Sequence, residues 1–191
     1  MSNKTVVINK VLKQNYVIII DEINRANISR VFGELITLIE TDKRSHGDLP
    51  LSCTLPSGDK FIVPSNLYII GTMNTADKSI ALLDVALRRR FDFIPMYPNY
   101  DKVINQTAKK ILESLNEFII KEKGYDFQIG HSFFMNVAND NDIIKCLNNK
   151  VIPLLLEYFL NDEVQVKEIL ENANLIIKDN SWPLQIESLK K

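Results

Sequence analysis

Tyr16-Val-Ile-Ile-Ile20 is a continuous apolar run rich in β-branched residues, the kind that lies buried on both faces of a parallel sheet, and it stops at Asp21-Glu22. Asn27 or Ser29 then caps a helix predicted to reach about Glu40, because Val31, Phe32, Leu35, Ile36, Leu38 and Ile39 recur at helical spacing. Leu51–Leu55 and Lys60–Val63 flank Pro56-Ser-Gly-Asp59, which predicts a hairpin with a glycine turn. A second strand, Leu67-Tyr-Ile-Ile70, runs into Gly71-Thr-Met-Asn-Thr-Ala-Asp77. Ser79 caps a short helix to about Arg88, and Phe91–Met96 reads as a third strand. Strand alternating with helix predicts an α/β sheet with crossover connections.

Beyond Pro98 the spacing is helical only. Asp101 is the expected cap of a helix to about Lys123, with Ile104, Ala108, Ile111, Leu115 and Phe118 on one face and Gly124 as its stop. A loop over 125–139 carries Gln128-Ile-Gly-His-Ser-Phe-Phe134. Helices follow over 140–160, bent or restarted at Pro153, and over 163–172. The expected plan is an α/β part over 1–98 and a helical part with a tail over 99–191.

Composition narrows the classes. The 191 residues hold 23 Lys+Arg and 24 Asp+Glu, a formal net charge of −1, so there is no bulk basic field for nucleic acid or an acidic membrane surface. The longest apolar runs are far shorter than the roughly 20 residues of a membrane span. No secretory leader is evident, and two cysteines make no disulfide framework. The expectation is a cytoplasmic globular protein without a structural metal, with Cys53 and Cys146 as small core or strand residues and Trp182 as a packing anchor.

Asp21 and Glu22 lie at the carboxyl end of a buried-type strand, where open α/β sheets bind ligands. The first can hold Mg²⁺ through water and the second can polarise an attacking water, although the pair also fits a solvated strand end. Asn74 offers a donor and an acceptor for orienting a water; Asn74-Thr-Ala-Asp77 equally fits a turn closed by local side-chain bonds. Arg88-Arg89-Arg90 closes a helix. It reads either as dipole compensation or as a guanidinium supplied to a neighbouring subunit's phosphate. His131 fits a nucleotide contact or a packed residue beside Phe133 and Phe134, and Lys43, Arg44 and His46 look like a solvated loop.

Taken together, Tyr16-Val-Ile-Ile-Ile-Asp-Glu-Ile-Asn-Arg-Ala-Asn27, Gly71-Thr-Met-Asn-Thr-Ala-Asp-Lys-Ser79 and Ala86-Leu-Arg-Arg-Arg-Phe91 strongly resemble the McrB family, the AAA+ GTPase subunits of modification-dependent (5-methylcytosine-specific) restriction systems. The resemblance is most specific over 16–96 and looser through Ile129-Gly-His-Ser-Phe133 to about residue 160. It implies a partial AAA+ P-loop NTPase core followed by an all-helical lid subdomain. Asp21 and Glu22 would be the Walker B pair, Mg²⁺-water ligand and catalytic carboxylate. Asn74 would be the sensor-1 residue, with Asp77 in the same signature. Arg89 and Arg90, and less closely Arg88, would act in trans across a ring interface, and His131 would approach nucleotide from the lid. The implied cofactors are Mg²⁺ and GTP, with ATP the alternative. The implied partners are further copies in a homo-oligomeric ring, an McrC-like nuclease subunit and, through the complex, DNA; no membrane is involved.

One departure is large. The phosphate-binding pattern GxxxxGK[ST] does not occur, and the 15 residues before Tyr16 contain no glycine. The expectation is the carboxyl-terminal part of such an NTPase, inactive alone because the phosphate cradle is missing. The competing readings are a non-catalytic interaction module that binds an AAA+ ring or nuclease, and a small α/β enzyme using Asp21 and Glu22 as an acid/base pair.

Overall fold

The computed structural model describes residues 14–33, 35–76 and 85–190. The chain separates into two compact units, Met1–Ile94 and Pro95–Lys191.

In the first unit, strand β1 (Tyr16–Ile20) is followed by helices α1 (Ile28–Phe32) and α2 (Leu35–Leu38). The short strands β2 (Cys53–Thr54) and β3 (Lys60–Phe61) come next, then β4 (Leu67–Gly71) and helix α3 (Val85–Arg88). β1 pairs in parallel with β4, from Tyr16 opposite Leu67 to Ile20 opposite Gly71. β2 and β3 form the expected hairpin, shorter than the apolar pattern, with Gly58 at φ +88° in its turn.

The helix expected to reach Glu40 is broken. Asn27 caps α1, its Oδ1 accepting from the Arg30 N–H at 3.0 Å, but Gly33 at φ +51° ends it and α2 starts afresh. The β-branched strands are also not buried on both faces. Val17, Ile18, Ile19, Tyr68 and Ile70 are exposed, because among the described residues the sheet has only two strands. Phe91–Met96 is not a strand: a ladder needs a partner edge, and none pairs with it among the described residues. The apolar centre here is small. Ile23 and Leu87 are buried, with Ile20, Phe32, Ile36, Met73 and Phe91 packed around them. Arg44 is not a solvated loop residue: its guanidinium donates to the Ile39 carbonyl at 2.9 Å and the Leu67 carbonyl at 2.5 Å, stitching the end of α2 to β4. The proposed Ser79 cap lies outside the described residues.

The second unit has a much larger core, built on α4 (Gln106–Lys123), α5 (Asp140–Cys146), α6 (Ile152–Tyr158) and α7 (Glu163–Asn172). Ala108, Leu112, Leu115 and Ile119 of α4 are fully buried at i, i+4, i+7 and i+11; of the predicted face Ala108, Ile111 and Leu115 are buried, whereas Phe118 is half-buried and Ile104, ahead of the helix, is 83% exposed. The cap of α4 is Asn105, whose Oδ1 accepts from the Ala108 N–H; Asp101 sits in a preceding 3₁₀ turn and pairs with Lys109 at 2.8 Å. Gly124 at φ +98° stops α4 as expected. The predicted bend near Pro153 takes the form of a π-helical segment, Leu147–Val151, inside one continuous helical run from α5 to α6; Pro153 offers no N–H to the preceding turn, and the wider π turn lies where its ring would crowd a regular helix.

The unit is not helical throughout. Strands β5 (Leu175–Ile177) and β6 (Ile186–Leu189) pair antiparallel, and Trp182 between them is 84% exposed rather than a packing anchor. Cys146 is buried and Cys53 half-buried. Among the described residues no helix is long and apolar enough to cross a membrane.

Candidate functional site

Parallel pairing in this register opens the carboxyl ends of β1 and β4 on the same side, which sets residues 21–24 beside 72–74. Thr72 joins them. Its N–H donates to the Ile20 carbonyl at 3.0 Å, and its carbonyl accepts from the Ile23 N–H at 2.8 Å. Its hydroxyl accepts from the Glu22 N–H at 3.1 Å and donates to Asp21 Oδ1. One Asp21 oxygen is thereby fixed; the side chain is exposed, and among the described residues Oδ2 has no hydrogen-bond partner.

Gly71 makes the approach possible, since a Cβ there would sit 3.0 Å from Ile23 Cδ1 and 3.1 Å from its Cγ2. Glu22 occupies the left-handed region at φ 48°, ψ 49°, a conformation a non-glycine residue holds at a cost of about 1–2 kcal/mol. The turn compensates: the Glu22 carbonyl accepts from the Arg25 N–H at 2.9 Å and its carboxylate pairs with the Arg25 guanidinium. The left-handed turn takes the chain out of the β1 direction directly after Asp21.

Asn24 ties this turn to the next loop. It is 8% exposed, and its Nδ2 donates to the Asn74 carbonyl at 3.1 Å, while its Oδ1 is buried without a hydrogen bond. Asn74 Oδ1 accepts from the Ala76 N–H at 3.1 Å, closing the local turn foreseen as the bland reading, and its Nδ2 remains a donor. Asp77 lies outside the described residues.

The three arginines have three environments. Arg90 is nearly buried and its Nη2 meets Glu40 Oε1 at 2.6 Å. The Arg88 guanidinium lies 5.7 Å over the Phe93 ring. Arg89 is exposed. In the second unit, His131 opens a 3₁₀ turn, and its Nδ1 accepts from the Asn99 N–H at 3.2 Å.

Geometry thus brings together Asp21, Glu22 and Asn74. Sequence reasoning missed Thr72, Asn24 and Glu40, which act through cross-strand register and tertiary contact. Thr72 and Asn24 stood inside the quoted segments, one place past β4 and four past β1, so a polar residue shortly beyond each strand was the available signal. An exposed carboxylate, a second carboxylate on the turn directly after it and a carboxamide on the adjoining strand end suit a cation held through water and a water to be activated. Among the described residues no group of three or more His, Cys, Asp or Glu forms a metal cage.

Comparison with known proteins adds the lineage. Residues 3–91 match the family model of the AAA domain of the dynein-related subfamily, and residues 107–167 match that of the α-helical lid domain of McrB. The chain is 41% identical over 177 residues to the type IV methyl-directed restriction enzyme EcoKMcrB subunit of Escherichia coli K12, a match covering 78% of this chain and 38% of that protein. It is 38% identical over 174 residues to the type II restriction enzyme BsuMI component YdiS of Bacillus subtilis 168, covering 84% of this chain and 47% of the relative. The chain therefore spans less than half the length of either relative.

Proposed function

The chain belongs to the McrB family of AAA proteins, and from that premise we propose that its 191 residues carry the hydrolytic groups of a nucleotide-driven restriction motor without its phosphate cradle. The observation that supports this most directly is Thr72, which holds Asp21 by one oxygen and the Glu22 backbone by another bond at the mouth of two parallel strands. Asp21 Oδ2 would hold a Mg²⁺ ion through water, and that ion would supply charge stabilisation to the phosphoryl group being transferred.

Glu22 polarises the attacking water, and Asn74 Nδ2 orients it or the γ-phosphate; Asp77 supports the same loop. Arg89 is the guanidinium offered in trans, and Arg90, fixed by Glu40, holds the segment that presents it. His131 contacts nucleotide from the lid. The nucleotide is GTP, with ATP the alternative. The assembly is a ring of like subunits driving an McrC-like nuclease along modified DNA, and its setting is the cytoplasm.

The decisive experiment is calorimetry of the 191-residue chain with Mg·GTP and Mg·ATP, followed by hydrolysis assays after mixing with a separate chain that supplies a GxxxxGK[ST] segment. We expect no heat from the chain alone and hydrolysis on mixing that drops by about 10²–10⁴ in Glu22→Gln. Micromolar binding by the chain alone, or restored hydrolysis that survives Glu22→Gln, overturns the reading.

A further inference from the structure

We propose that Asn99 and Asn116 are positioning residues that present His131 as a fixed hydrogen-bond donor, its Nδ1 closed by a backbone N–H and its Nε2–H left for an acceptor oxygen of a nucleotide phosphate. The inference rests on the nucleotide role given to His131 above and names the chemistry of that contact.

The mount is built from both sides. Asn116 is fully buried on α4, and its carboxamide bonds one residue twice: Nδ2 donates to the Ile129 carbonyl at 3.0 Å, and Oδ1 accepts from the Ile129 N–H at 2.7 Å. A single side chain thus supplies what a neighbouring strand would, and Ile129, itself fully buried, becomes a fixed point two residues before His131. After His131 the 3₁₀ turn closes with the Phe134 N–H donating to the His131 carbonyl at 3.0 Å, and Phe134 is buried in the core.

The ring is then set by Asn99. A backbone N–H has only a proton to offer, so the Nδ1 that receives it must carry a lone pair, and the neutral imidazole keeps its proton on Nε2. Asn99 is held in turn, its Oδ1 accepting from the Asp101 N–H at 3.0 Å. With Nδ1 occupied by the Asn99 N–H, the ring presents Nε2–H as a donor toward an oxygen, which separates its work from that of Glu22.

Histidine-selective ¹⁵N labelling tests the mount on the chain itself, because His46 and His131 are the only histidines and His131→Gln assigns the pair. At a pH of about 8, above the ordinary histidine range, long-range ¹H–¹⁵N correlations should show His131 with an unprotonated Nδ1 and a protonated Nε2. Asn99→Ala keeps the N–H and should keep the pattern; Asn99→Pro removes it and should release a tautomer mixture. A protonated Nδ1, or an even mixture in the wild-type chain, overturns the proposal even if Asn99→Pro fails to fold.

The ligand is tested in the mixed, hydrolysing system. His131→Leu should raise KM by about tenfold, the worth of one hydrogen bond to a charged group, while His131→Gln, whose amide also donates, should recover most of it. A locked tautomer with KM unmoved by His131→Leu keeps the mount but overturns the donor role toward nucleotide, leaving the Glu22 chemistry to stand or fall on its own assay.

Discussion

Replacing Asn116 by Leu keeps the volume of a fully buried side chain and removes three hydrogen bonds, two to Ile129 and one from Nδ2 to the Tyr100 hydroxyl at 3.2 Å. Tyr100 is only partly buried, so water can replace that bond. Ile129 is fully buried, so its N–H and carbonyl are left without partners. Each orphaned group costs about 1–3 kcal/mol, and the gain from no longer burying an amide returns roughly 1–3 kcal/mol. The net is a loss of about 1–3 kcal/mol against the 5–15 kcal/mol that holds a typical domain together. In a unit of about 100 residues that lowers the melting temperature by at least about 4 °C. Circular dichroism at 222 nm follows it, because the long helices belong to this unit. Asn116→Asp should be worse than Leu, since a carboxylate would face the Ile129 carbonyl. A Leu variant that melts within 2 °C of wild type would refute the account of Asn116 as the clamp on the His131 loop.

Glu22→Gly relieves the left-handed backbone while giving up an exposed ion pair worth about 0–1 kcal/mol, so stability should stay within about 1 kcal/mol of wild type while hydrolysis in the mixed system is lost; a collapse of the melt would show that the side chain holds the turn. Arg89→Ala should leave the melt unchanged and cut hydrolysis by about 10³-fold or more, whereas Arg90→Ala should cost about 1–3 kcal/mol by stranding Glu40, discounted for the partial exposure of that carboxylate; equal stability losses would refute the division. Burial pushes the Cys146 thiol up, so its neutral form is favoured by folding: the contribution is complete below the ordinary thiol value of about 8.5 and declines as pH rises through the folded value. Unfolding midpoints above pH ~9 should therefore fall more steeply than in Cys146→Ala, and an aromatic disulfide reagent should label half-buried Cys53 well before Cys146.

What the sequence revealed depended on the range of the forces involved. α4 and α7 carry their own stripes and end signals, and β1 and β4 their own apolar runs, so all four were legible. Phe91–Met96 has the composition of a strand, but a strand is made by its partner, and composition says nothing of that. β5 and β6 were missed for the converse reason: two short runs, one of them interrupted by Glu187 and Ser188, become a hairpin only through pairing across an eight-residue connection. At the site, Asp21, Glu22 and Asn74 were visible as polar residues at strand ends. Thr72 was not singled out, because its role follows from Ile20 standing opposite Gly71.

The arginine triplet shows how far identical residues are separated by geometry alone. Leu87 is 2% exposed and fixes which side of α3 faces the small apolar centre. The Arg90 N–H returns to the Leu87 carbonyl at 2.9 Å, so the turn continues past α3 and places residue 90 over residue 87 on that inward side. There Arg90 meets Glu40, just beyond α2, and becomes part of the fold. Residues 88 and 89 fall one and two steps off the inward side; Phe93 stacks on the first, and the second is left exposed. Dipole compensation needs only one cation near a helix end, and it would not distinguish the three. The inward register of Leu87 does: it commits Arg90 to the fold and leaves Arg88 and Arg89 exposed, and under the reading proposed above Arg89 is the guanidinium offered in trans.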